Sequence, residues 1–308
     1  MEHTQADNYS SKWRMKAALY TLLLAYGFGI SPVHARQNFH EKPDSILQEQ
    51  LEAQLENFRG EAGVYVKHLP SGRTAAIRAD ELFPTASLVK VPILLALFDK
   101  IEHGELEYDT ELTYLDTTIY AGDTGIVASL KDSTTIALSK LAMLMITTSD
   151  NSASLWCQSL AGTGSEINRW LAANGFEHSR VNSRTPGRQE AFKAYGWGQT
   201  TPREMVVMIR QGQAVSPAAS EEMYRVLTRI YWNSEALSEI PPFVQAASKQ
   251  GAISHSRSEV VLVNAPSGDY VFCLITKNQT DKSWAYENDG FVLLRQISRM
   301  LWRYFEPD

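Results

Sequence analysis

Two side chains that together can perform acyl transfer occur at helical spacing early in the chain. Ser87 precedes Lys90 by three residues in the only S-x-x-K of the sequence, and this spacing places a hydroxyl and an amine on one face of a helix. An amine that takes up the hydroxyl proton turns a serine into a nucleophile. Roughly one S-x-x-K is expected by chance in a chain of this length, so the motif needs support from other residues.

Two further polar motifs follow in the sequence. Ser149-Asp150-Asn151 comes directly after a helical pattern, and composition alone would place this tripeptide in roughly one such chain in twenty. Lys249-Gln250-Gly251 is the only K-x-G of the chain and precedes its last strand patterns. A hydroxyl, an amide and a second amine are the groups that relay a proton, bind a substrate amide and stabilise negative charge. The three motifs together predict an acyl-transfer site.

In these motifs and their order, from about residue 45 to residue 305, the chain resembles the serine β-lactamases and penicillin-binding proteins. The class A β-lactamases, with S-x-x-K, S-D-N and K-T-G, are the most similar. The resemblance implies that Ser87 attacks an amide carbonyl, that Lys90 holds or relays its proton, and that Ser149 protonates the leaving nitrogen. The substrate-binding residues that it implies are Asn151, Lys249, Gly251 and Ala252.

The resemblance also implies an oxyanion site and two residues at the edge of the substrate pocket. The backbone amides of Ser87 and Ala252 would bind the developing oxyanion. Tyr120 lies where the family places an aromatic pocket rim, and the alternative is a tyrosine packed on the surface. Arg257 lies where the family often binds the substrate carboxylate, and the alternative is a surface arginine in a hairpin.

Two departures from the family pattern concern release of the acyl group. Class A enzymes carry a glutamate in a long loop that activates the hydrolytic water, but here the expected position falls near Thr185. Glu190 is the nearest acid in the loop and is the candidate base, the alternative being a solvated loop carboxylate. Gln250 replaces the family's Thr or Ser, which removes a hydroxyl that helps to bind the substrate carboxylate. Acylation is therefore expected, whereas deacylation lacks an obvious base.

These observations leave three functional hypotheses. The first is a serine hydrolase that opens β-lactams through a Ser87 acyl-enzyme, with a role in β-lactam catabolism and antibiotic resistance. The second keeps the nucleophile but takes a D-alanyl-D-alanine peptide or another acyl compound and deacylates slowly. The third is a non-catalytic descendant that binds peptidoglycan, and the complete motif set argues against it.

Composition excludes several other functions. The net charge of −6 gives no electrostatic basis for nucleic-acid binding, and no phosphate-binding glycine motif occurs. We expect no cofactor and no metal, since the two cysteines, Cys157 and Cys273, lack metal-site spacing. In an exported protein they could form a disulfide, but two buried free thiols are the favoured interpretation.

The N-terminus has the pattern of a secretory signal. Lys12, Arg14 and Lys16 precede a 14-residue, mostly apolar stretch, Ala17 to Ile30, and cleavage is predicted after Ala35. Met15 could be the true start, and an uncleaved anchor is the alternative, although the stretch is shorter than the ~20 residues of a spanning helix. We therefore expect a periplasmic protein, monomeric and not inserted in the membrane after cleavage.

Hydrophobic periodicity indicates where the motifs lie in the fold. Helices are predicted for 45–58, 88–102, 135–148, 152–161, 201 onward, 218–232 and 290–304, and strands for 63–69, 74–78, 260–264 and 270–276, whereas 106–133 and 176–200 have no clear period. Strands at both ends of the chain with helices between them predict an α+β fold. An antiparallel sheet flanked by terminal helices would come from 45–85 and 235–308, and an all-helical lobe from 86–234.

Overall fold

A computed structural model describes residues 41–116, 123, 125–211 and 216–307. Its main feature is a six-stranded sheet with the strand order β1-β3-β2-β11-β10-β9. These strands are β1 (Lys42–Pro43), β2 (Glu61–His68), β3 (Arg73–Ile77), β9 (Ala246–Ile253), β10 (Ser256–Val263) and β11 (Tyr270–Lys277). Apart from β1, which runs parallel to β3, neighbouring strands are antiparallel. The strand pairing therefore joins the two ends of the chain, as the sequence predicted.

Alternating side chains of the sheet build two separate cores. Along β10, Val261 and Val263 point to one face, whereas Val260 and Leu262 point to the other, as the two-residue period of a strand requires. Because both faces are covered, Val260–Val263 of β10 and Tyr270–Ile275 of β11 are apolar throughout.

The terminal helices cover one face of the sheet. Helices α1 (Ser45–Leu55) and α9 (Asp289–Phe305) pack Leu47 and Leu51 together with Leu293, Ile297 and Leu301. Asp44 caps α1 by accepting a 3.1 Å hydrogen bond from Leu47 N, as an N-terminal aspartate should.

Helices from the middle of the chain form a block that shares a core with the other face of the sheet. They are α2 (Lys90–Glu102), α3 (Leu138–Thr147), α4 (Asn151–Leu160), α5 (Thr163–Ala173), α6 (Gln189–Tyr195), α7 (Pro202–Gln211) and α8 (Pro217–Leu227). Helix α2 is buried from Lys90 to Phe98 and lies at the centre of this block, so a polar group at its start is held by packing on every side. The α+β fold class predicted from the sequence is confirmed.

Several boundaries differ from the sequence predictions. The helix predicted from Leu88 begins as a 3₁₀ turn, Ala86–Val89, and the one predicted from Thr135 is preceded by strand β6 (Thr135–Ala137), which pairs with β5 (Glu111–Thr113). The stretch 176–200 is not irregular, since it contains β7 (Arg180–Val181), α6 and β8 (Gly198–Thr200), and β8 also pairs with β4 (Phe83–Pro84). Short strands of two or three residues carry too little periodicity to be predicted from the sequence.

Some predictions fall outside the described residues: the signal segment 1–35, the alternative start Met15 and the rim residue Tyr120. Within the described ranges, no helix is both long and apolar enough to cross a membrane. Cys157 and Cys273 are both buried free thiols, and burial raises the pKa of each.

Candidate active site

Ser87 lies in the 3₁₀ turn that leads into α2. Two backbone hydrogen bonds hold Thr85, two residues before Ser87. Thr85 N donates to Gly198 O at 2.9 Å, and Thr85 O accepts from Leu88 N at 2.9 Å. Ala86 has a φ of +45°, a left-handed conformation that costs energy for a residue with a side chain. The strained turn leaves Ser87 partly exposed at the N-terminal end of a buried helix.

Lys90 is fully buried directly behind Ser87. Its Nζ lies 3.0 Å from Ser87 Oγ, 2.9 Å from Ser149 Oγ, 2.6 Å from the Ser149 carbonyl oxygen and 2.9 Å from Asn151 Oδ1. The predicted S-x-x-K and S-D-N residues therefore meet at this one nitrogen. Burial lowers the pKa of Lys90 to about 7, against the opposing effect of Asp150 and Asp123.

The partners of Lys90 determine what its neutral form can do. The Ser149 carbonyl and Asn151 Oδ1 can only accept hydrogen bonds, so they take the two N–H groups of a neutral amine. The single lone pair is then left for one hydroxyl at a time, Ser87 Oγ or Ser149 Oγ, whereas in the protonated form Nζ is the donor to these hydroxyls. This geometry suits a base that removes a proton from serine.

Ser149 brings the two lysines of the site together. It has a φ of +59°, and its Oγ accepts hydrogen bonds from Lys90 Nζ at 2.9 Å and from Lys249 Nζ at 3.1 Å. Asp150 holds this turn in place, because its carboxylate accepts from Ala153 N at 2.8 Å and from Val127 N at 3.0 Å. Asp150 thus serves as the N-cap of α4 and leaves the hydroxyl and the amide of its neighbours for the site.

Lys249 extends from β9, the edge strand of the sheet, and is also fully buried. Besides Ser149 Oγ, it donates to Gln250 O at 2.8 Å and to Gln250 Oε1 at 3.2 Å. Burial and the nearby charge of Lys90 lower the pKa of Lys249, whereas Glu259 and Glu235 act in the opposite direction. The Gln250 amide, which replaces the family's hydroxyl, is thus directed at this lysine.

Gly251 allows β9 to approach the nucleophile. A Cβ atom at this position would lie 2.8 Å from Thr85 O, 2.8 Å from Ser258 Oγ and 2.9 Å from Ser87 N, which is closer than real Cβ atoms pack. The absence of a side chain at Gly251 therefore allows the strand that carries Ala252 to lie next to Ser87. The backbone amides of Ser87 and Ala252 are the two predicted oxyanion donors.

Glu259, which no sequence motif indicated, lies on β10 on the sheet face that the terminal helices α1 and α9 cover. Its buried carboxyl accepts from Ser248 Oγ at 2.5 Å and from Ala236 N at 2.7 Å. Burial raises its pKa to about 7, and Glu235 acts in the same direction. An acid directly before the apolar run Val260–Val263 was the sequence signal that could have revealed it.

Glu204, at the start of α7, binds residues 177–179 at the beginning of the loop between α5 and α7. Its carboxylate accepts hydrogen bonds from Glu177 N, His178 N and Ser179 N at 2.8, 3.0 and 2.7 Å. Thr201 and Glu204 have the spacing of a capping box, but only half of it forms. Thr201 Oγ1 accepts from Glu204 N at 3.1 Å, whereas the Glu204 carboxylate binds the backbone of the loop.

Within this loop no acid reaches the reactive groups. Glu190 lies on α6 with 86% of its side chain exposed and pairs with Lys193 at 2.7 Å. Thr185, at the position expected for a glutamate, donates to Ser183 O at 2.9 Å and is buried. Throughout the described ranges, no carboxylate is hydrogen-bonded to Ser87, Lys90, Ser149 or Lys249, and no group of three His, Cys, Asp or Glu side chains could hold a metal ion.

Arg257 is buried rather than lying on the surface. Its guanidinium lies between the rings of Trp284 and Phe291, 4.6 Å from each centroid. The donated hydrogen bonds go to three carbonyl oxygens, those of Ile253, Ser256 and Ser283. A substrate carboxylate could reach this group only after these neighbours moved.

Comparison with protein-family models matches residues 46–305 to the beta-lactamase enzyme family. Among solved structures, PBP-A is 28% identical with a TM-score of 0.74, and the match covers 86% of this chain and 98% of that one. A leucine-to-glutamate variant of PBP-A, solved as an acyl-enzyme complex with penicillin G, is 27% identical with a TM-score of 0.75, and the match again covers 86% of this chain and 98% of that one. A Sphaerobacter thermophilus β-lactamase is 22% identical, with a TM-score of 0.74 over 85% of this chain and 98% of that one.

Proposed function

The chain belongs to the beta-lactamase enzyme family, and from this premise we propose that it opens β-lactam rings through a covalent Ser87 acyl-enzyme whose release is the slow step. The observation that supports this proposal best is the hydrogen-bonded set of Ser87, Lys90, Ser149 and Lys249. The set contains a nucleophile, a base with a pKa near neutrality and a hydroxyl relay, but no carboxylate.

In acylation, neutral Lys90 takes the Ser87 hydroxyl proton as Oγ bonds to the β-lactam carbonyl carbon. The carbonyl oxygen becomes an oxyanion that the backbone amides of Ser87 and Ala252 stabilise. When the intermediate collapses, the C–N bond breaks and Ser149 gives its hydroxyl proton to the leaving nitrogen. The Lys90 ammonium returns a proton to Ser149, so the step ends with a neutral lysine and an opened ring.

The remaining predicted residues have supporting roles in this proposal. Asn151 orients Lys90 through its Oδ1 and keeps its amide N–H₂ for the substrate. Lys249, when protonated, lowers the cost of negative charge near Ser149 and the substrate carboxylate. Tyr120 as a pocket rim and Arg257 as a carboxylate ligand stay predictions from the sequence, whereas this proposal does not use Glu190, the predicted base.

Release of the acyl group requires an activated water. Glu190 is solvated and paired with Lys193, and Thr185 has no acidic group, so the loop contributes no general base among its described side chains. General-base catalysis contributes about 10²–10⁴-fold to such steps. We therefore expect an acyl-enzyme that persists, in contrast to an efficient β-lactamase.

The same observation favours a second candidate function. A D-alanyl-D-alanine carboxypeptidase or an esterase uses the same acylation chemistry, and β-lactams then act as slow inhibitors. PBP-A, whose glutamate variant is described as a penicillin G acyl-enzyme, is among the similar structures. A purely peptidoglycan-binding role is disfavoured because Ser87, Lys90 and Ser149 are hydrogen-bonded to one another rather than dispersed.

We place this activity outside the cytoplasm. The support is the signal pattern before Arg36, and the expected partners are small β-lactams or peptidoglycan peptides. A role in antibiotic resistance would require that acyl release is fast enough for turnover.

Mixing residues 36–308 with excess chromogenic cephalosporin tests this proposal. We expect a burst of about one equivalent of opened product followed by slow turnover. Rapid continuous turnover would show that an efficient base exists and would contradict slow release. With Ser87→Ala, the burst should disappear.

A further inference from the structure

Two exposed aromatic residues lie beside the Ser149 turn. After α8 ends, the chain passes the end of α3, and Tyr231 N donates to Thr147 O at 2.9 Å. The Trp232 indole Nε1 then donates to Thr148 O, also at 2.9 Å. Thr148 directly precedes Ser149, so both aromatic residues are attached to the backbone that carries the proposed proton donor.

The two rings are ordered although they are exposed. Tyr231 has 69% and Trp232 has 52% of its surface exposed. Their ring centroids lie 5.0 Å apart with an interplanar angle of 89°, which is the favourable edge-to-face geometry. The two hydrogen bonds fix the start and the end of the pair, so its surface is available to a ligand without reordering.

The position of the pair indicates which part of a substrate it would meet. This step rests on the proposed function, in which the substrate carbonyl binds between Ser87 N and Ala252 N. Ser149 then protonates the leaving nitrogen, so the atoms attached to that nitrogen extend toward the Ser149 side of the site. Because the pair is hydrogen-bonded to the two residues that directly precede Ser149, it borders this leaving-group side.

We propose that Tyr231 and Trp232 form a stacking surface that selects β-lactams carrying a flat aromatic substituent on the leaving-group side. The ring faces contribute by contact with the substituent, and the indole N–H serves only to hold Trp232 on Thr148. These two contributions can be separated by substitution, because phenylalanine retains a ring face but has no N–H donor.

Two cephalosporins with the same acylamino side chain test this inference, one with a C3 methyl group and one with a C3 aryl-vinyl group. The measured quantity is the second-order rate constant for acylation of Ser87, followed by intact-protein mass. For Trp232→Ala we expect a loss of about 3–10-fold with the aryl compound and of less than about twofold with the methyl compound. Trp232→Phe should remain within about threefold of the parent with both.

Matched controls distinguish failure of this inference from failure of the proposed function. Phe243→Ala removes another exposed ring, which is 84% exposed and lies three residues before the start of β9, and should not change the ratio of the two rate constants. The stacking surface would be overturned if Trp232→Ala lowered the acylation rate constant equally with both compounds. It would also be overturned if Trp232→Phe lowered the rate constant with the aryl compound as much as Trp232→Ala does. If neither compound acylates the parent protein, the proposed function itself is wrong.

Discussion

At the scale of single residues, the proposed chemistry depends on two buried lysines, Lys90 and Lys249, that are both hydrogen-bonded to the Ser149 hydroxyl. The sequence predicted Ser87, Lys90, Ser149, Asn151 and Lys249 as one site, because their motifs carry the side chains that acyl transfer needs. Sequence could not give the burial of both amines, which depends on the packing of α2 and β9. Burial is what lowers the pKa of Lys90 to about 7 and makes it a usable base.

The pKa of Lys90 predicts the pH dependence of acylation. The protonated amine has no lone pair, so the acylation rate should fall about tenfold per pH unit below pH 7 and reach a plateau above it. Lys90→Arg, which stays protonated, should lose at least about 10²-fold at every pH. Adduct formation measured from pH 5 to 9 checks this, and a rate that is flat across pH 7 would exclude Lys90 as the base.

Glu259 predicts a pH dependence of stability instead. Its pKa is about 4.5 in the unfolded chain and about 7 when folded, so its contribution is fully present below pH 4.5. That contribution is lost as pH rises through 7, at a cost of about 3 kcal/mol. Between pH 5 and 8, the free energy of unfolding should therefore drop more in the parent than in Glu259→Gln. Denaturant unfolding at both pH values measures this, and parallel changes would refute it.

At the scale of elements, the contacts that shape the site come from short segments with little sequence signal. Most helices and long strands were predicted near their observed places, since each has enough residues to show its period, but helix α5 (Thr163–Ala173) and strand β9 (Ala246–Ile253) were missed. The 3₁₀ turn at Ser87 and the strands within 176–200 were missed, because hydrogen bonds to distant segments form them. The hydrogen bond from Thr85 N to Gly198 O is one of them.

The approach of β9 to the Ser87 turn predicts that Gly251 tolerates no side chain. In Gly251→Ala, the new Cβ would clash with Thr85 O and Ser87 N, displacing Ala252 from its place beside the nucleophile. Loss of one oxyanion donor costs about 3–4 kcal/mol, so acylation should slow by about 10²–10³-fold while the fold persists. Acylation kinetics with circular dichroism as a control measure this, and unchanged acylation would contradict the close approach.

The hydrogen bonds from residues 177–179 to the Glu204 carboxylate give a different prediction. Glu204→Gln keeps the shape of the side chain but has one oxygen for the three backbone donors of 177–179. We expect faster hydrogen exchange at these amides and throughout 176–200, with exchange in the central helix α2 unchanged. Exchange that stays slow in the loop of Glu204→Gln would show that Glu204 does not hold residues 177–179 in place.

At the scale of the whole molecule, strands from both ends of the chain form one sheet and the middle of the chain forms a helical block beside it. The order of apolar patterns predicted this arrangement, because strands at both ends of the chain with helices between them pack most simply as one antiparallel sheet. The direction of the Arg257 side chain could not be predicted, since it depends on which sheet face Trp284 and Phe291 cover. The same packing places Ser87, Ser149 and Lys249, from three distant segments, within hydrogen-bonding reach of one another.

Intact-protein mass spectrometry of residues 36–308 after incubation with penicillin G tests the central claim most directly. We predict a single adduct of the penicillin mass that maps to the peptide containing Ser87, persists for longer than its time of formation and is absent in Ser87→Ala. No adduct on the parent protein, or an adduct that survives in Ser87→Ala, would contradict the assignment of Ser87 as the nucleophile.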